Sequence, residues 1–366
     1  MLWTALNAVC VHTTAHAVTI LRRESNLLKE KLRQAAKRIE VQNLANLVIS
    51  YSPHIKGDKN IRTLMRDVII ALIPALIGSV YFFGIEALLI CLTSAAFCVL
   101  FEFIWNKLTK KENTTGDLTA IVTGILLAFC LPAGIPLYMV IIGDAFAIIV
   151  VKCFFGGAGN NFVNPALAAR AFLLACWPVE MTTFPAPKDP FGWFSSFDAV
   201  SGATPLAVVK GTEAASMEAV SQTELFFGYV SGCLGEVSVL LLLIGAAYLV
   251  VRKVINLIIP VTYLATLGIF CMLFSDFGFI WHIMAGGVML GGFFMATDYA
   301  TSPVTRCGQF VYALGAGLIT GIIRIFGGYP EGVTYAILIM NIVTPLIDKY
   351  LTPKTFGQVK EVKSNE

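Results

Sequence analysis

Charge is scarce in this chain. Asp, Glu, Lys and Arg together supply 13% of its 366 residues, about half the share in an ordinary soluble domain. Hydrophobic residues reach 57% and mean hydropathy is +0.77. An ordinary soluble enzyme is excluded on these figures, and so is a disordered chain. The net charge of +3 is too small for a nucleic-acid binder. Metal-site patterns are also lacking. Nine cysteines are scattered with no CxxC and no Cys/His cluster, so no Fe–S or zinc site can be argued. Cys91, Cys98, Cys130, Cys176, Cys233 and Cys271 sit in apolar blocks and read as small core residues. The first twenty residues lack the basic start and small-residue cleavage site of a signal peptide.

What is abundant is long apolar blocks. About 20 apolar residues cross a bilayer as a helix. Ten segments qualify: 68–83, 85–105, 118–131, 135–151, 165–177, 238–251, 255–274, 279–297, 310–326 and 333–347. The third and fifth are short. The fold class is therefore an all-α polytopic membrane protein.

Basic residues orient it, because Lys and Arg concentrate in cytoplasmic loops. Residues 1–66 carry eleven of them. Lys107, Lys110 and Lys111 follow segment two, Lys152 segment four, Arg252 and Lys253 segment six, Arg306 segment eight, and Lys349 and Lys354 segment ten. With both termini cytoplasmic, all these loops share one side. The loop 178–224 then faces outward, with only Lys188 and Lys210 among six acidic residues. Arg324, near the outer end of segment nine, is the one poor fit. Residues 18–40 place Leu21, Leu28, Leu32 and Ile39 on one helical face, which suits a surface amphipathic helix or a plain cytoplasmic tail.

The two halves echo each other. Phe155-Gly156-Gly157 recurs as Phe326-Gly327-Gly328, and Gly124…Ala128…Pro132 as Gly292…Ala296…Pro303, at offsets of about 171 and 168 residues. Five segments separate the copies, and an odd number inverts one relative to the other. The expected organisation is a cytoplasmic segment 1–66, a five-helix repeat 67–177, an extracytoplasmic loop 178–231, an inverted repeat 232–348 and a tail 349–366. Gly287/Gly291 and Gly317/Gly321 have GxxxG spacing, best read as close helix packing. The run 156–159 is no Rossmann or P-loop fingerprint, since no strand precedes it and no Gly-Lys-Ser/Thr follows.

Two tracts carry possible chemistry. Asp198-Ala199-Val200-Ser201-Gly202-Ala203-Thr204-Pro205-Leu206 lies in the outward loop and could be a simple turn. Gly156-Gly157-Ala158-Gly159-Asn160-Asn161-Phe162-Val163-Asn164-Pro165 enters segment five from the cytoplasmic side. Asn161 and Asn164 can donate and accept there, and N-capping is the plain alternative. Phe184, Phe191, Trp193, Phe194 and Phe197 suit ring stacking or an interfacial belt, the latter preferred. Glu86, Glu102, Asp144, Arg170, Asp298, Arg324 and Glu331 are ionisable groups in or near spans, hence functional candidates. Asp144, mid-helix in segment four, could lie on an ion pathway or pair with a buried Lys or Arg.

These tracts, with Ser52-Pro53-His54-Ile55, 67–74, Phe294-Met295-Ala296-Thr297-Asp298 and Phe326-Gly327-Gly328-Tyr329-Pro330-Glu331-Gly332, resemble the D subunit of the Rnf complex. They are similar also to its homologue, the B subunit of the sodium-translocating NADH:quinone oxidoreductase. The resemblance covers 46–358; residues 1–45 are an extension or reflect a start codon placed too early. It implies FMN joined by a phosphoester to Thr204, placed there by a flavin transferase that recognises Asp198, Ser201, Gly202 and Ala203. It implies, more weakly, noncovalent riboflavin near Asn161 and Asn164. The redox chemistry would belong to the cofactors. The expected role is a membrane flavoprotein subunit, inactive alone, of an ion-translocating ferredoxin:NAD oxidoreductase. It would work in a bacterial or archaeal cell membrane, with lipid and the other Rnf subunits as partners and no nucleic acid. The rival reading is a stand-alone urea-channel-like transporter, because fold does not fix function.

Overall fold

The computed structural model describes residues 60–187 except 112–113, residues 204–209, and residues 221–351 except 237, 276 and 330, together with 26, 29–31 and 33. The chain divides into two units, Met1–Asp58 and Lys59–Glu366. In the first, Asn26, Lys29, Glu30, Lys31 and Arg33 are helical and exposed, as the polar side of an amphipathic helix would be. The rest of residues 18–40 lies outside the described residues.

The second unit is helical. Among the described residues no strand forms, and Pro132 pairs with Cys233 in an isolated bridge. Helix α1 spans Ile61–Phe83 and α2 Ile85–Leu108. At 23 and 24 residues and about 1.5 Å per residue, each exceeds the roughly 30 Å of a bilayer core. Helix α3, Thr119–Phe129, is half that length. It stops before Pro132, where its chain end pairs with another loop: Leu234 N donates to Leu131 O at 3.0 Å and Gly235 N to Phe129 O at 2.9 Å. Backbone that is not helical survives at membrane depth only when satisfied in this way.

Helix α4, Leu137–Ala145, continues as a π-helical stretch, Phe146–Cys153. Helix α5 is Pro165–Cys176. The second half holds α6 (Val239–Val251), α7 (Ile258–Phe274), α8 (Phe279–Met284), α9 (Val288–Leu290, running into a π-helical Gly291–Met295), α10 (Arg306–Phe326) and α11 (Val333–Tyr350). Helices α1, α2 and α10 are long and apolar enough to cross a membrane, and α3, α5, α6 and α7 are shorter apolar helices. Ile73, Ile77, Leu89, Leu92, Ile269 and Met272 stand exposed on the outside. Such apolar outer faces suit lipid, and the architecture is that of a polytopic membrane protein.

One expected span is broken. The segment 279–297 is two pieces, α8 and α9, separated at 285–287. Gly286 takes φ +69°, a conformation that other residues reach only with strain. The freed carbonyls of His282 and Ala285 accept from the Arg324 guanidinium at 2.6 and 3.0 Å. Arg324 is 1% exposed, so it is a structural cation inside the bundle. Its misfit to the loop-charge pattern follows from that.

Packing repeats between the halves. Helix α2 packs on α4 as α7 packs on α10, while α1 lies against α6 and α5 against α11. The Gly317 spacing motif serves this packing: a Cβ there would come within 2.9 Å of Tyr263 O on α7.

Candidate functional site

Two polar sites lie at the two ends of the half-length elements α3 and α9. The first is a cavity of about 310 Å³, lined by residues that include Thr119, Lys152, Asn161, Asn164, Phe294 and Asp298. Its walls are largely apolar, with Val122, Leu126, Leu249 and Phe293. Size and lining match small-molecule pockets, which start near 300 Å³. Both ends of the Asn164 amide are engaged by the fold. Its Oδ1 accepts from Ala166 N at 3.0 Å and Leu167 N at 3.4 Å, capping α5, and its Nδ2 donates to Met295 O at 3.4 Å. Asn161 is different: its Oδ1 is buried and has no partner among the described residues. An orphaned buried acceptor costs about 1–3 kcal/mol, which a donor on a bound molecule would recover.

The cavity wall is held by a buried ion pair. Lys152 Nζ meets Glu102 Oε2 at 3.1 Å and Thr119 Oγ1 at 2.8 Å. Thr114 donates to Glu102 Oε1 at 2.9 Å, and Asn106 Nδ2 donates to Thr114 at 3.1 Å. Lys152 is 1% exposed, so it is a core cation rather than the loop charge that the sequence suggested. The π-helical stretch turns its side chain inward. Across the cavity, burial raises the Asp298 carboxyl above the ordinary value, while the Ala300 amide and the Thr301 hydroxyl draw it back.

The second site surrounds the break between α8 and α9. Arg170 of α5 donates to Glu236 Oε1 at 3.3 Å, to Glu331, and to Cys233 Sγ at 3.4 Å. Gly287 leaves room for this group: a Cβ would fall 2.5 Å from Glu236 Oε1. A small cavity of about 20 Å³ brings Thr204 together with Glu236, Glu331, Ser231, Gly232 and Gly286. Thr204 precedes a short helix, Pro205–Val209, and its hydroxyl accepts from Ala207 N at 3.2 Å. Thr204 is half-buried. Asp198, Ser201, Gly202 and Ala203 lie outside the described residues, as do Phe191, Trp193, Phe194 and Phe197; Phe184 is buried.

Helix α5 joins the two sites. Asn164 caps its start and Arg170 lies six residues on, a rise of about 9 Å. Asp144 belongs to neither site. It is fully buried and accepts from Ser94 Oγ at 2.6 Å and Cys98 Sγ at 3.3 Å. Its Oδ2 has no partner among the described residues. The pairing with Lys or Arg that the sequence left open is not made there: Lys152 and Arg170 hold glutamates instead.

The NQR2, RnfD, RnfE family profile matches residues 48–357. The chain belongs to this family. It is 48% identical over 320 residues to the D subunit of the Na(+)-translocating ferredoxin:NAD(+) oxidoreductase complex of Acetobacterium woodii, covering 87% of this chain and 98% of that one. It is 43% identical over 321 residues to the proton-translocating counterpart of Clostridium ljungdahlii, covering 84% and 96%. The D subunit of the ion-translocating oxidoreductase complex of Halorhodospira halophila is 37% identical over 340 residues, covering 84% and 95%. The first two are named for one kind of complex and differ in the ion named.

Within this family frame, the structure joins Asn161 with Asn164 and sets Thr204 beside two glutamates. Glu236 does not stand out in the sequence. It sits just before an apolar block, and nothing local marks it as the partner of an arginine 66 residues away. Lys152 is equally inconspicuous, because a lysine at the end of an apolar block reads as a loop charge. The signal that could have found both is the count of charges flanking short or broken segments.

Proposed function

We propose that this chain is the D-type subunit of an ion-translocating ferredoxin:NAD oxidoreductase complex, passing electrons across the membrane between two flavins. FMN bonded through its phosphate to Thr204 would form one station and noncovalent riboflavin in the Asn161 cavity the other. When bound, these groups supply one- and two-electron chemistry. The chain's own residues position, neutralise and shield them.

The observation that carries the reading is the arrangement of α5. Its first turn borders an apolar cavity with an unpartnered amide oxygen, and its Arg170 reaches the glutamates that share a cavity with Thr204. Arg170 offsets the carboxylate charge that would otherwise oppose a phosphodiester on Thr204. Small neighbours, Ser201-Gly202-Ala203, would give a flavin transferase access to the hydroxyl. The basic loops support a cytoplasmic Asn161 end and an outward Thr204 end. The matched order and packing of the two halves support inverted five-helix repeats and about ten spans. Their half-length α3 and α9 mark the sites, as in other inverted-repeat proteins. Asp144, whose Oδ2 has no partner among the described residues, is the candidate for the ion path, for Na⁺ or H⁺.

The test is in-gel fluorescence of denatured protein made beside a flavin transferase. A fluorescent band that disappears in Thr204→Val supports the reading. A dark wild-type band would favour a urea-channel-like transporter, and fluorescence retained in the variant would reject the attachment site.

A further inference from the structure

Helix α2 carries four polar side chains on one face. Ser94, Cys98, Glu102 and Asn106 recur every fourth residue, so they stack one above another, and all four are buried. The stripe rises about 18 Å. Its last rung meets Thr114, which is exposed in the basic loop after α2. Its first rung meets Asp144 of α4. One turn further along the same face stands Ile90, buried and apolar, so the stripe stops there. Resting on the reading of Asp144 as the ion-path residue, we propose that this stripe is a proton half-channel, loading Asp144 from the membrane face on which Thr114 lies.

The rungs are linked. Asn106 and Glu102 both engage the Thr114 hydroxyl, at 3.1 and 2.9 Å. Glu102 holds Lys152 at 3.1 Å. Lys152 lies near enough to Cys98 for its charge to act on the thiol, and Cys98 donates to Asp144 Oδ1 at 3.3 Å. The Asp144 end is short of hydrogens. Ser94 Oγ lies 2.6 Å from Asp144 Oδ1 and 2.9 Å from Gly124 O of α3, and its hydroxyl has one hydrogen for two acceptors. Asp144 Oδ2 has no partner among the described residues. A proton on Oδ1 donates to Ser94 and frees the serine hydrogen for Gly124. Lys152 and Arg170 are held by glutamates, so a proton is what neutralises Asp144, as a carboxyl group at this depth requires. A metal cation does not suit the route, because the Lys152 ammonium repels it, whereas an ammonium can pass a proton on.

The transfer balances. A proton from water enters by the Thr114 hydroxyl onto Glu102 and moves through Lys152 to Cys98, each group releasing one proton as it accepts the next. The Cys98 S–H bond breaks as the Asp144 O–H bond forms, Lys152 restores the thiol, and Glu102 restores Lys152. Only Asp144 changes charge, from carboxylate to acid, and the water beside Thr114 has lost one proton.

Infrared difference spectroscopy of the purified complex tests this without reading flavin. Wild type minus Asp144→Asn should show one carboxylic-acid band at neutral pH that shifts on transfer to D₂O; no such band overturns the proposal. Where Asp144→Asn does not assemble, Asp144→Glu should move the band instead, and a band that stays in place overturns the assignment. Cys98→Val, which fills the site without a relay proton, should slow the D₂O shift at least tenfold, and Cys98→Ser should restore it. An unchanged rate in Cys98→Val overturns the route. Replacing choline by Na⁺ at constant pH should leave the band as it is; a band lost to Na⁺ overturns the proton in favour of the metal ion. Ion uptake by inverted vesicles separates the underlying reading. Uptake in Asp144→Asn equal to wild type, with the band and its exchange as expected, removes Asp144 from the ion path and supports the half-channel as a proton site alone.

Discussion

Replacing Lys152 by Met should destabilise the protein more than any other single change at the Asn161 cavity. The pair with Glu102 is 3.1 Å apart, with both side chains at most 3% exposed. At an effective dielectric near 20 the Coulomb attraction at that distance is about 5 kcal/mol. Removing one partner of such a pair leaves an uncompensated charge and costs about 3–5 kcal/mol. Among the described residues, Glu102 would keep only the Thr114 hydroxyl. Removing both partners, in Lys152→Met/Glu102→Leu, should recover most of the loss, because well-packed apolar pairs often replace buried ion pairs at no net cost. The assay is the midpoint of heat-induced loss of the monodisperse complex on size-exclusion chromatography, for wild type, both single variants and the double. A Lys152→Met midpoint equal to wild type, or a double variant worse than either single, would refute the reasoning.

Other outcomes follow from the same geometry. Asn161→Leu should lower noncovalent flavin content about tenfold, the scale of one or two lost hydrogen bonds, and leave covalent fluorescence intact; acid extraction with chromatography measures both. Asn164→Ala removes the α5 cap at a cost of about 1 kcal/mol, so it should lower thermal stability and flavin retention together. Gly287→Ala drives a Cβ to 2.5 Å from Glu236 Oε1. It should push Glu236 away from Arg170 and lower the heat-induced midpoint of the complex on size-exclusion chromatography, at an overpacking cost of about 1–3 kcal/mol. Asp144→Asn should cut ion uptake by inverted vesicles roughly tenfold, one charged hydrogen-bonded ligand's worth, with flavin content unchanged.

Much of the fold was legible because hydrophobic blocks and their charged flanks are local signals. The spans at 68–83 and 85–105 correspond to α1 and α2. The Pro132 turn ended α3, and the Asn164-Pro165 pair opened α5. The break at 285–287 was not legible, since Gly287 with Gly291 reads as a helix-packing pair. What decides it is Arg324, 38 residues along the chain from Gly286, taking the carbonyls that the break frees. The ion pairs were hidden because they too are long-range. Lys152 and Arg170 find their glutamates across 50 and 66 residues; the sequence marks Arg170 as a candidate without its partner and reads Lys152 as a loop charge. The two asparagines were visible as a pair, but only the fold separates Asn164, which caps a helix, from Asn161, whose oxygen has no partner among the described residues.

Peptide mass spectrometry across 201–206, on protein produced with an active flavin transferase, bears on the central claim most directly. The account predicts one FMN-sized increment, localised by fragmentation to Thr204 and absent from Thr204→Val. An unmodified peptide from that material, or an increment on Ser201 instead, would contradict it.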